Sequence, residues 1–432
     1  MVAAGRAAQR FAIVNATVVT MEPLRHRTAG RARVDEADLG IVPRASVVVE
    51  DGRVAAVGPR IRIPPGIESL DARGRVVVPG FVDAHSHALF AGNRIADFEA
   101  IAAGRAPALG IGYTVEQTRR CTPVQLAEIG AQRLSLMLSH GTTTAEVKTG
   151  YALTADGESG MLTAMSSLDR RPDMPHVVPT FCGAHAIPPE YPDAETFVAA
   201  LCDRILPAVA RLGIARFADA FCERGYFTPA QCERFLSACA RAGMDLRVHA
   251  DELSLNGGTM LAANLRSASA DHLNFADAAG IEALARAGTV AVLCPATTEY
   301  LGLERYGPAR ELIAAGVPVA LATDFNPGTS PCPSLQTVAH LARRRLRMTA
   351  PEMLAGITAQ AAVSLRREAG TIAAGAPADL VMLETADYRE LGYYYGVNLV
   401  TCVTVSRGFN TWLRGNLSTG GTSGDNLPRT LP

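Results

Sequence analysis

Two histidines stand one residue apart at the end of the string VVVPGFVDAHSH, which runs from Val76 to His87. The valines and the Pro-Gly pair before them predict a buried strand, and side chains two residues apart in a strand point to the same side. His85 and His87 could therefore coordinate the same divalent metal ion. The same pair would also fit two histidines whose ring nitrogens are satisfied in a turn or a core. Only further ligands or catalytic groups elsewhere in the chain can distinguish the two interpretations.

Ionisable and polar residues also stand at the ends of later strand-like segments. They are Glu146, Lys148 and Tyr151, then His185, then His249, Asp251 and Glu252, then Asp271 and His272, and finally Asp324 and Asn326. Each of them singly would fit a structural role. Together they favour an active site, because catalytic groups of a βα barrel lie on the loops that follow the C-terminal ends of its strands.

Eight strand-like runs alternate with helix-like segments through the middle of the chain. The runs cover residues 76–87, 141–151, 176–186, 217–223, 246–252, 267–273, 288–295 and 317–327. The segments between them, such as 229–243 and 278–288, are Ala-rich and amphipathic and end in glycine, as helices do. Eight βα units predict the α/β class, with a closed (β/α)8 TIM-like barrel over residues 76–370.

Both ends of the chain have β-strand patterns instead. Strands are predicted at 11–20, at 45–58 with a hairpin turn at Asp51-Gly52, at 369–384 and at 398–409. We therefore expect a small β-sandwich domain built from residues 1–75 and 371–417. Residues 22–43 are interpreted as an exposed loop, and the Gly-, Ser- and Pro-rich tail 418–432 is expected to be disordered.

The composition excludes several classes of partner. Of the 432 residues, 48% are hydrophobic and 19% charged, and the formal net charge of −1 gives no reason to expect a nucleic acid or a membrane. The nine cysteines are scattered without Cys-x-x-Cys pairs, as free thiols in a reducing compartment would be. The start of the chain has no signal-peptide core, and no apolar run approaches about 18 residues. We expect a cytoplasmic protein without a nucleic-acid or membrane partner, and a homodimer only as the default.

The histidines and the aspartate at the ends of the first, fifth, sixth and eighth predicted barrel strands resemble the metal-dependent amidohydrolase superfamily. Within it, the strings TTTAEVKTGY, FCGAHAIPPEY, HADEL, SADHL and ATDFNPGTSP are similar to the imidazolonepropionase family, over about residues 11–411. The resemblance implies hydrolysis of the ring amide of 4-imidazolone-5-propanoate to N-formimidoyl-L-glutamate, a step of histidine degradation.

The resemblance also implies the metal ligands, which would be His85, His87, His249 and Asp324. Many superfamily members bridge two metals with a carbamylated lysine on the fourth strand, but here that segment reads FADAFCE and argues for one ion. Lys148 is expected to pair with an acid such as Glu146 rather than serve the metal. Zinc and iron(II) both accept this ligand set, so the spacing does not choose between them.

Catalytic and substrate-binding roles follow from the same resemblance. Glu252, His272 and Asp324 would be catalytic, and which of Glu252 and His272 is the primary base stays open. His272 is expected to pair with Asp324 or Asp271. The residues expected to bind substrate are Arg94, Tyr151, His185, Glu252, Asn326, Gly328 and Thr329. Arg94 would hold the propionate through a bidentate charge-assisted contact.

The chain departs from this family after Arg94. The family usually has a Gly-x-x-Tyr string there, whose Tyr helps to hold the propionate. The stretch 99–120 is shorter, and Ala106-Pro107 stand near where that Tyr would be. Tyr113 lies further along and need not point into the site, so the acid end of the substrate would rest largely on Arg94.

Two other functions compete with this one. The first is a related amidohydrolase that opens another cyclic amide or deaminates a heteroaromatic ring, since the metal ligands would be identical. The second is a catalytically dead barrel that binds a small ligand or scaffolds a partner. Such barrels usually lose a ligand or the proton-transfer group, and this chain keeps all four ligands together with Glu252 and His272.

Overall fold

The computed structural model describes residues 10–25, 32–406 and 410–413. Its strands are β1 Arg10–Val19, β2 Ile41–Glu50, β3 Arg53–Pro59, β4 Glu68–Asp71, β5 Val76–Pro79, β6 Phe81–Asp83, β7 Thr142–Lys148, β8 His176–Ala184, β9 Phe217–Cys222, β10 Asp245–Ala250, β11 Ser269–His272, β12 Val290–Leu293, β13 Val319–Leu321, β14 Leu380–Leu383, β15 Val400–Val405 and β16 Asn410–Leu413. They form two separate sheets.

The α-helices lie mostly between the strands of the second sheet. They are α1 Ile95–Ala102, α2 Gly110–Arg119, α3 Pro123–Ser139, α4 Ala155–Asp169, α5 Ala194–Ala200, α6 Leu206–Leu212, α7 Pro229–Arg241, α8 Gly258–Asn264, α9 Ala278–Ala287, α10 Pro295–Tyr300, α11 Ala309–Ala314, α12 Leu335–Arg344, α13 Ala350–Gly356 and α14 Ala359–Ser364. A π-helical turn at Leu201–Ile205 joins α5 to α6, and short 3₁₀ turns lie at Glu22–Leu24, Glu36–Leu39 and Tyr388–Gly392. In the described part of the chain, no helix has the length and apolarity needed to cross a membrane.

Strands β6 to β13 are parallel neighbours in chain order, which confirms the predicted barrel. The first and last of them meet just beyond their ends. Asp324 N donates to His85 O at 2.9 Å, and His87 N donates to Phe325 O at 3.0 Å. These bonds close the barrel at the residues that carry the predicted metal ligands.

The barrel strands are buried on both faces, because alternate residues pack in opposite directions. Val177 belongs to the large cluster formed with the surrounding helices, whereas its neighbour Val178 belongs to a smaller cluster with Ala361 and Leu365 at α14. The same alternation separates Val319 from Ala320. The barrel is therefore filled by side chains and is not a pore.

The predicted single strand over 76–87 is wrong, because the segment is divided between the two sheets. Val76–Pro79 pairs with β1 and β14, and the first barrel strand begins only at Phe81. Gly80 stands between them, and a Cβ there would lie 2.8 Å from the Cβ of Thr143 and 2.1 Å from its Oγ1. The chain can pass this closely from one sheet to the other only at a residue without a side chain.

The first sheet takes its strands from both ends of the chain, as predicted. Its order is β16-β15-β14-β5-β1-β2-β3, with β4 beside β1. The β2–β3 hairpin turns at Asp51 and Gly52, with φ angles of 49° and 77°, as a type I′ turn requires. Val54 N also donates to Ala376 O at 2.9 Å, so the edge strand β3 returns to the segment that enters β14. The sheet therefore folds over on itself.

The exposed loop predicted for residues 22–43 is wrong for its described part. Leu24, Val34 and Leu39 are buried in the large cluster of the barrel, and the Asp35 side chain caps the turn at Glu36–Leu39. This burial was not predicted, because the three apolar residues are irregularly spaced among Arg, Ala and Asp residues. The tail predicted to be disordered, 418–432, lies outside the described residues.

Candidate active site

A cavity of 440 Å³ opens at the C-terminal ends of the barrel strands. Every residue that the sequence predicted for the site lines this cavity except His85, which lies one layer deeper and is fully buried. The remaining lining residues were not predicted and are Pro107, Gly110, Ile111, Phe221, Tyr226, Leu253, Leu301 and Leu303. The site is therefore a polar floor under a largely apolar rim.

The four predicted ligands converge on the floor of the cavity. His87 Nε2 lies 3.3 Å from His249 Nε2, and Asp324 Oδ1 lies 3.4 Å from His85 Nε2 and 3.5 Å from His87 Nε2. Four ligand atoms held about 2.0–2.1 Å from a tetrahedral ion would be about 3.3–3.4 Å apart. His85 Nε2 is buried and has no hydrogen-bond partner among the described residues. The donor set and its spacing fit a metal ion.

Two of these histidines, His85 and His249, have a carboxylate beside the outer ring nitrogen. His85 Nδ1 lies 2.6 Å from Asp271 Oδ2, and His249 Nδ1 lies 3.1 Å from Asp219 Oδ2. A carboxylate that accepts a hydrogen bond from Nδ1–H leaves the Nε2 lone pair free for a metal and fixes the plane of the ring. Neither aspartate was assigned this contact from the sequence.

Burial keeps the rings of His85 and His87 neutral. It lowers the pKa of His85 and of His87 well below the ordinary value, so both rings keep a lone pair at neutral pH. Burial also lowers the pKa of His249, but the charge of Asp219 outweighs it and the net shift is upward. Burial raises the pKa of Asp324 to about 6.

Two site residues, His272 at the end of β11 and Asp324 just after β13, have an unusual backbone conformation. His272 has φ of 73° and Asp324 has φ of 49°, a left-handed region in which residues other than glycine are uncommon. Such conformations cluster at functional sites, where the surrounding structure holds them. Thr297 Oγ1 donates to Asp324 Oδ2 at 2.7 Å, which leaves Oδ1 facing the histidines.

Glu252 and His272 lie side by side above the ligands, with Oε1 and Nδ1 3.8 Å apart. Burial raises the pKa of Glu252 to about 8, and the charge of Asp324 adds to the shift. Burial lowers the pKa of His272 well below its ordinary value. The expected pairing of His272 with Asp271 is wrong, because successive residues of a strand point to opposite sides and Asp271 accepts a bond from Ser269 Oγ at 2.5 Å instead.

His185 and Tyr151 form one wall of the cavity. His185 Nδ1 lies 3.0 Å from Gly150 O, so it must donate to that carbonyl, and Nε2 is then the nitrogen left to accept. The ring stacks on His87 with 4.9 Å between centroids, and Tyr151 meets its edge. Burial lowers the pKa of His185 to about 4. The wall is a neutral imidazole beside a phenol.

Arg94 lines the opposite side and is fixed by Asp97, to whose carboxylate its Nε donates. Asp97 also accepts from Leu109 N at 2.7 Å and from Gly110 N at 3.1 Å, so one carboxylate ties the arginine to the shortened loop. A Cβ on Gly328 would lie 2.8 Å from Arg94 Nη1. The glycine therefore lets the guanidinium lie against the loop after β13. Asp97 was missed, although an acid three residues after an arginine was a usable signal.

Asn326 organises that loop from within. Its Oδ1 accepts from Gly328 N at 2.9 Å and from Thr329 N at 2.7 Å, and its Nδ2 donates to Asp324 O at 2.7 Å. The side chain thus holds the backbone on both sides of the turn. This places Gly328 and Thr329 on the cavity wall, beside the ligand Asp324.

Tyr113 does not line the cavity, which confirms that the shortened loop does not carry it into the site. It lies beside Gly92 instead, and Pro107 and Ile111 occupy the rim. A different tyrosine, Tyr226, lines the cavity from the loop after β9, with its ring 4.5 Å from that of Phe221. Its position after a barrel strand could have marked it from the sequence.

Lys148 lies beneath the ligands and pairs with Glu146, as predicted. Its Nζ is 2.7 Å from Glu146 Oε1 and 2.6 Å from Asp219 Oδ2. Burial lowers the pKa of Lys148, but Asp219 and Glu146 outweigh it and raise the pKa above the ordinary value, so the ammonium stays charged. Arg247 completes this layer, with Nη2 at 3.3 Å from Asp271 Oδ2, and was missed from the sequence.

The fold and the site together define a class of protein. Residues 76–416 match the family model described as "Amidohydrolase family". The chain is similar to solved structures over nearly its whole length. A 5-methylcytosine deaminase from Klebsiella pneumoniae liganded with 5-fluorocytosine matches with a TM-score of 0.70 at 16% identity, covering 97% of this chain and 99% of that one. An adenosine deaminase from Xanthomonas campestris with bound zinc has a TM-score of 0.67 at 20% identity, covering 92% of each chain. At these identities the likeness shows the fold alone.

Curated relatives narrow the family further. An imidazolonepropionase from Bacillus velezensis is 42% identical over 394 residues, covering 89% of this chain and 92% of the relative. One from a Methylobacterium species is 41% identical over 370 residues, covering 83% of this chain and 92% of its own length. The chain therefore belongs to the amidohydrolase family and, within it, to the imidazolonepropionases.

Proposed function

We propose that this chain hydrolyses the ring amide of 4-imidazolone-5-propanoate to N-formimidoyl-L-glutamate. The observation that carries the proposal is one cavity that joins the converging ligand atoms of His87, His249 and Asp324 to Glu252 and Arg94. A hydrolase of an anionic cyclic amide needs these three parts, which are a metal site, a proton carrier and a clamp for the acid. The names of the relatives agree with it.

The proposal includes one divalent ion per chain, zinc or iron(II), held by His85, His87, His249 and Asp324. Such an ion, when bound, lowers the pKa of a water from about 15.7 towards 7 and polarises a carbonyl oxygen. Support for a single ion comes from β9, which offers no lysine for a carbamate bridge, and from Lys148, which is engaged by Glu146 and Asp219.

Proton transfer falls to Glu252 and His272. Hydrolysis adds the hydroxyl of a water to the ring carbonyl carbon and breaks the bond from that carbon to the ring nitrogen, so the remaining proton of the water has to reach the departing nitrogen. A carboxyl with a pKa of about 8 exchanges protons readily near neutral pH. Glu252 would take the proton from water and deliver it to the nitrogen, while neutral His272 beside it orients the water.

The other lining residues would bind the substrate. Arg94 would clamp the propionate with its guanidinium, whose rotation is restricted by Asp97. His185 would face the ring carbonyl and Tyr151 the ring nitrogens, and the loop of Asn326, Gly328 and Thr329 would close the far wall.

We also propose the cytoplasm as the place of action, with a small anionic molecule and no nucleic acid or membrane as partner. All nine cysteines are free thiols, which is typical of a reducing compartment. The net charge of −1 offers no basis for binding nucleic acid or a charged membrane surface. A homodimer remains the default expectation.

The test is turnover by purified, metal-loaded protein, followed as the loss of imidazolone absorbance, beside hydantoin, cytosine and guanine. We expect turnover of the imidazolone alone. Because Arg94 would hold the propionate and losing one hydrogen bond to a charged group costs about 1.5–3 kcal/mol, Arg94→Ala should raise KM strongly. The control Tyr113→Phe should change kcat/KM by less than about threefold, since Tyr113 does not line the cavity. Turnover of cytosine, guanine or hydantoin instead would favour the related amidohydrolase, and an unchanged KM in Arg94→Ala would remove the clamp.

A further inference from the structure

A charged layer lies inside the barrel, directly beneath the ligand histidines. It consists of Glu146, Lys148, Asp219, Arg247 and Asp271, and all five side chains are fully buried. We propose that the ammonium group of Lys148 is a fixed cation that takes the place of a second metal ion and thereby limits the centre to one ion. The inference rests on the proposed metal-dependent function.

The position of the ammonium group is the first argument. Lys148 Nζ lies 2.7 Å from Glu146 Oε1, 2.6 Å from Asp219 Oδ2 and 3.7 Å from Asp271 Oδ2. The group is surrounded by three carboxylates, which are the oxygen ligands that a divalent ion would use. A cation therefore already stands where these oxygens converge.

Two of these carboxylates also contact the metal ligands. Asp271 contacts His85 Nδ1 at 2.6 Å, and Asp219 contacts His249 Nδ1 at 3.1 Å. Asp219 also forms two groups whose ligand atoms lie within 4.8 Å of one another, one with His85 and Asp271 and one with Cys182 and His249. A second donor set is thus present next to the first, and Lys148 sits among its members.

Lys148 also helps to balance the buried charges of this layer. Three carboxylates face two cations in this layer, and an unpaired buried charge is strongly unfavourable. Arg247 already contacts Asp271 Oδ2 with Nη2 at 3.3 Å. It cannot move to replace Lys148, because Nη2 also donates to Ala84 O at 2.7 Å and Nη1 donates to Ser364 O at 3.1 Å. Without Lys148, one guanidinium would face three carboxylates, which leaves two negative charges in the layer. One divalent ion would neutralise them.

The test compares Lys148→Met with Lys148→Arg, which keeps the positive charge and offers no metal ligand. Each full-length protein is loaded with excess Zn²⁺, desalted and analysed for metal per chain, and a second sample is loaded with Mn²⁺ for electron paramagnetic resonance. We expect about one ion per chain in the parent and in Lys148→Arg. We expect about two in Lys148→Met, with a spin-coupled Mn²⁺ signal, because the two donor sets share His85 and His249.

Failure of the variant to fold is covered by a refolding measurement. If Lys148→Met is not obtained folded, it is refolded with and without excess Zn²⁺, and recovery only with Zn²⁺ is the expected result. A folded Lys148→Met with one ion per chain, or an unfolded one that Zn²⁺ does not recover, overturns the inference. A parent protein that binds no ion or two ions contradicts the proposed single-ion centre itself, and is distinguished in this way from failure of the inference.

Discussion

Glu252 illustrates how surroundings turn an ordinary carboxyl into a proton carrier. It is buried at the cavity wall beside neutral His272 and near the carboxylate of Asp324, and its pKa rises to about 8. A carboxyl with a raised pKa is mostly protonated at neutral pH and becomes a carboxylate only as the pH rises through that value. A step that begins with proton abstraction by Glu252 should therefore accelerate with increasing pH up to about 8.

Glu252→Gln should lower kcat by about 10²–10⁴-fold, because the amide keeps the shape of the side chain but cannot carry a proton. The rise of kcat/KM with pH near 8 should disappear with it, while metal content stays at the parent value. The measurement is a pH–rate profile with elemental analysis of the same samples. Glu195→Gln is the matched control, since Glu195 is an exposed acid paired with Arg234, and it should leave the profile unchanged. A kcat within about threefold of the parent, or a rise near 8 that persists, would reduce Glu252 to a binding group.

At the residue level, the sequence was informative where spacing and strand position coincide. His85 and His87 share a strand side, and His249, His272 and Asp324 end later strands, so the prediction that they lie together needed only the barrel. The carboxylates behind the rings could not be assigned in this way. Which aspartate contacts which imidazole depends on side-chain direction in the folded barrel. Asp271 contacts His85 and not His272.

At the level of elements, the seam between β6 and β13 positions the centre. These two strands share no ladder, and the ends that follow them carry His85, His87 and Asp324. Asp83 at the end of β6 accepts from Thr323 N at 3.1 Å and from Thr323 Oγ1 at 2.5 Å. One buried carboxylate thus fixes the first strand to the last, directly beside the metal ligands.

Thr323→Val should weaken both the fold and the metal site. It removes a donor from buried Asp83, and a buried acceptor that loses its partner costs on the order of 1–3 kcal/mol. We expect a lower Tm by calorimetry and a weaker Kd for Zn²⁺ by competition with a chelator. Thr142→Val is the matched control, because Thr142 Oγ1 on β7 is buried without a hydrogen-bond partner among the described residues. Equal effects of the two substitutions would show that the seam does not position the ligands.

The elements themselves were largely predictable, and their allocation to sheets was not. All eight barrel strands occur at the strand-like runs that alternate with helix-like segments, and this rule of alternation holds even for β7 (TTTAEVK) and β11 (SADH), whose residues are largely polar. The same rule could not divide Val76–Pro79 from Phe81–Asp83. Both pieces are apolar, and only the close approach of Thr143 to Gly80 reveals that the chain changes sheets there.

On the scale of the whole molecule, the metal ligands couple distant parts of the chain. His85 follows β6, His249 lies in β10 and Asp324 follows β13, so the full ligand set exists only when the barrel has closed. An ion that binds the folded chain and not the unfolded one adds stability, by about 4 kcal/mol at a thousandfold excess over Kd. Folding of the barrel and binding of the metal ion are therefore thermodynamically coupled.

The most direct test of the account is a metal titration of the chelator-treated protein with Zn²⁺ or iron(II). The initial rate of imidazolone loss and the formation of N-formimidoyl-L-glutamate are recorded at each addition. Because one set of four ligands would activate one water, the rate should rise linearly and break at one ion per chain. A break at two ions per chain, or no loss of imidazolone at any metal content, would contradict the account.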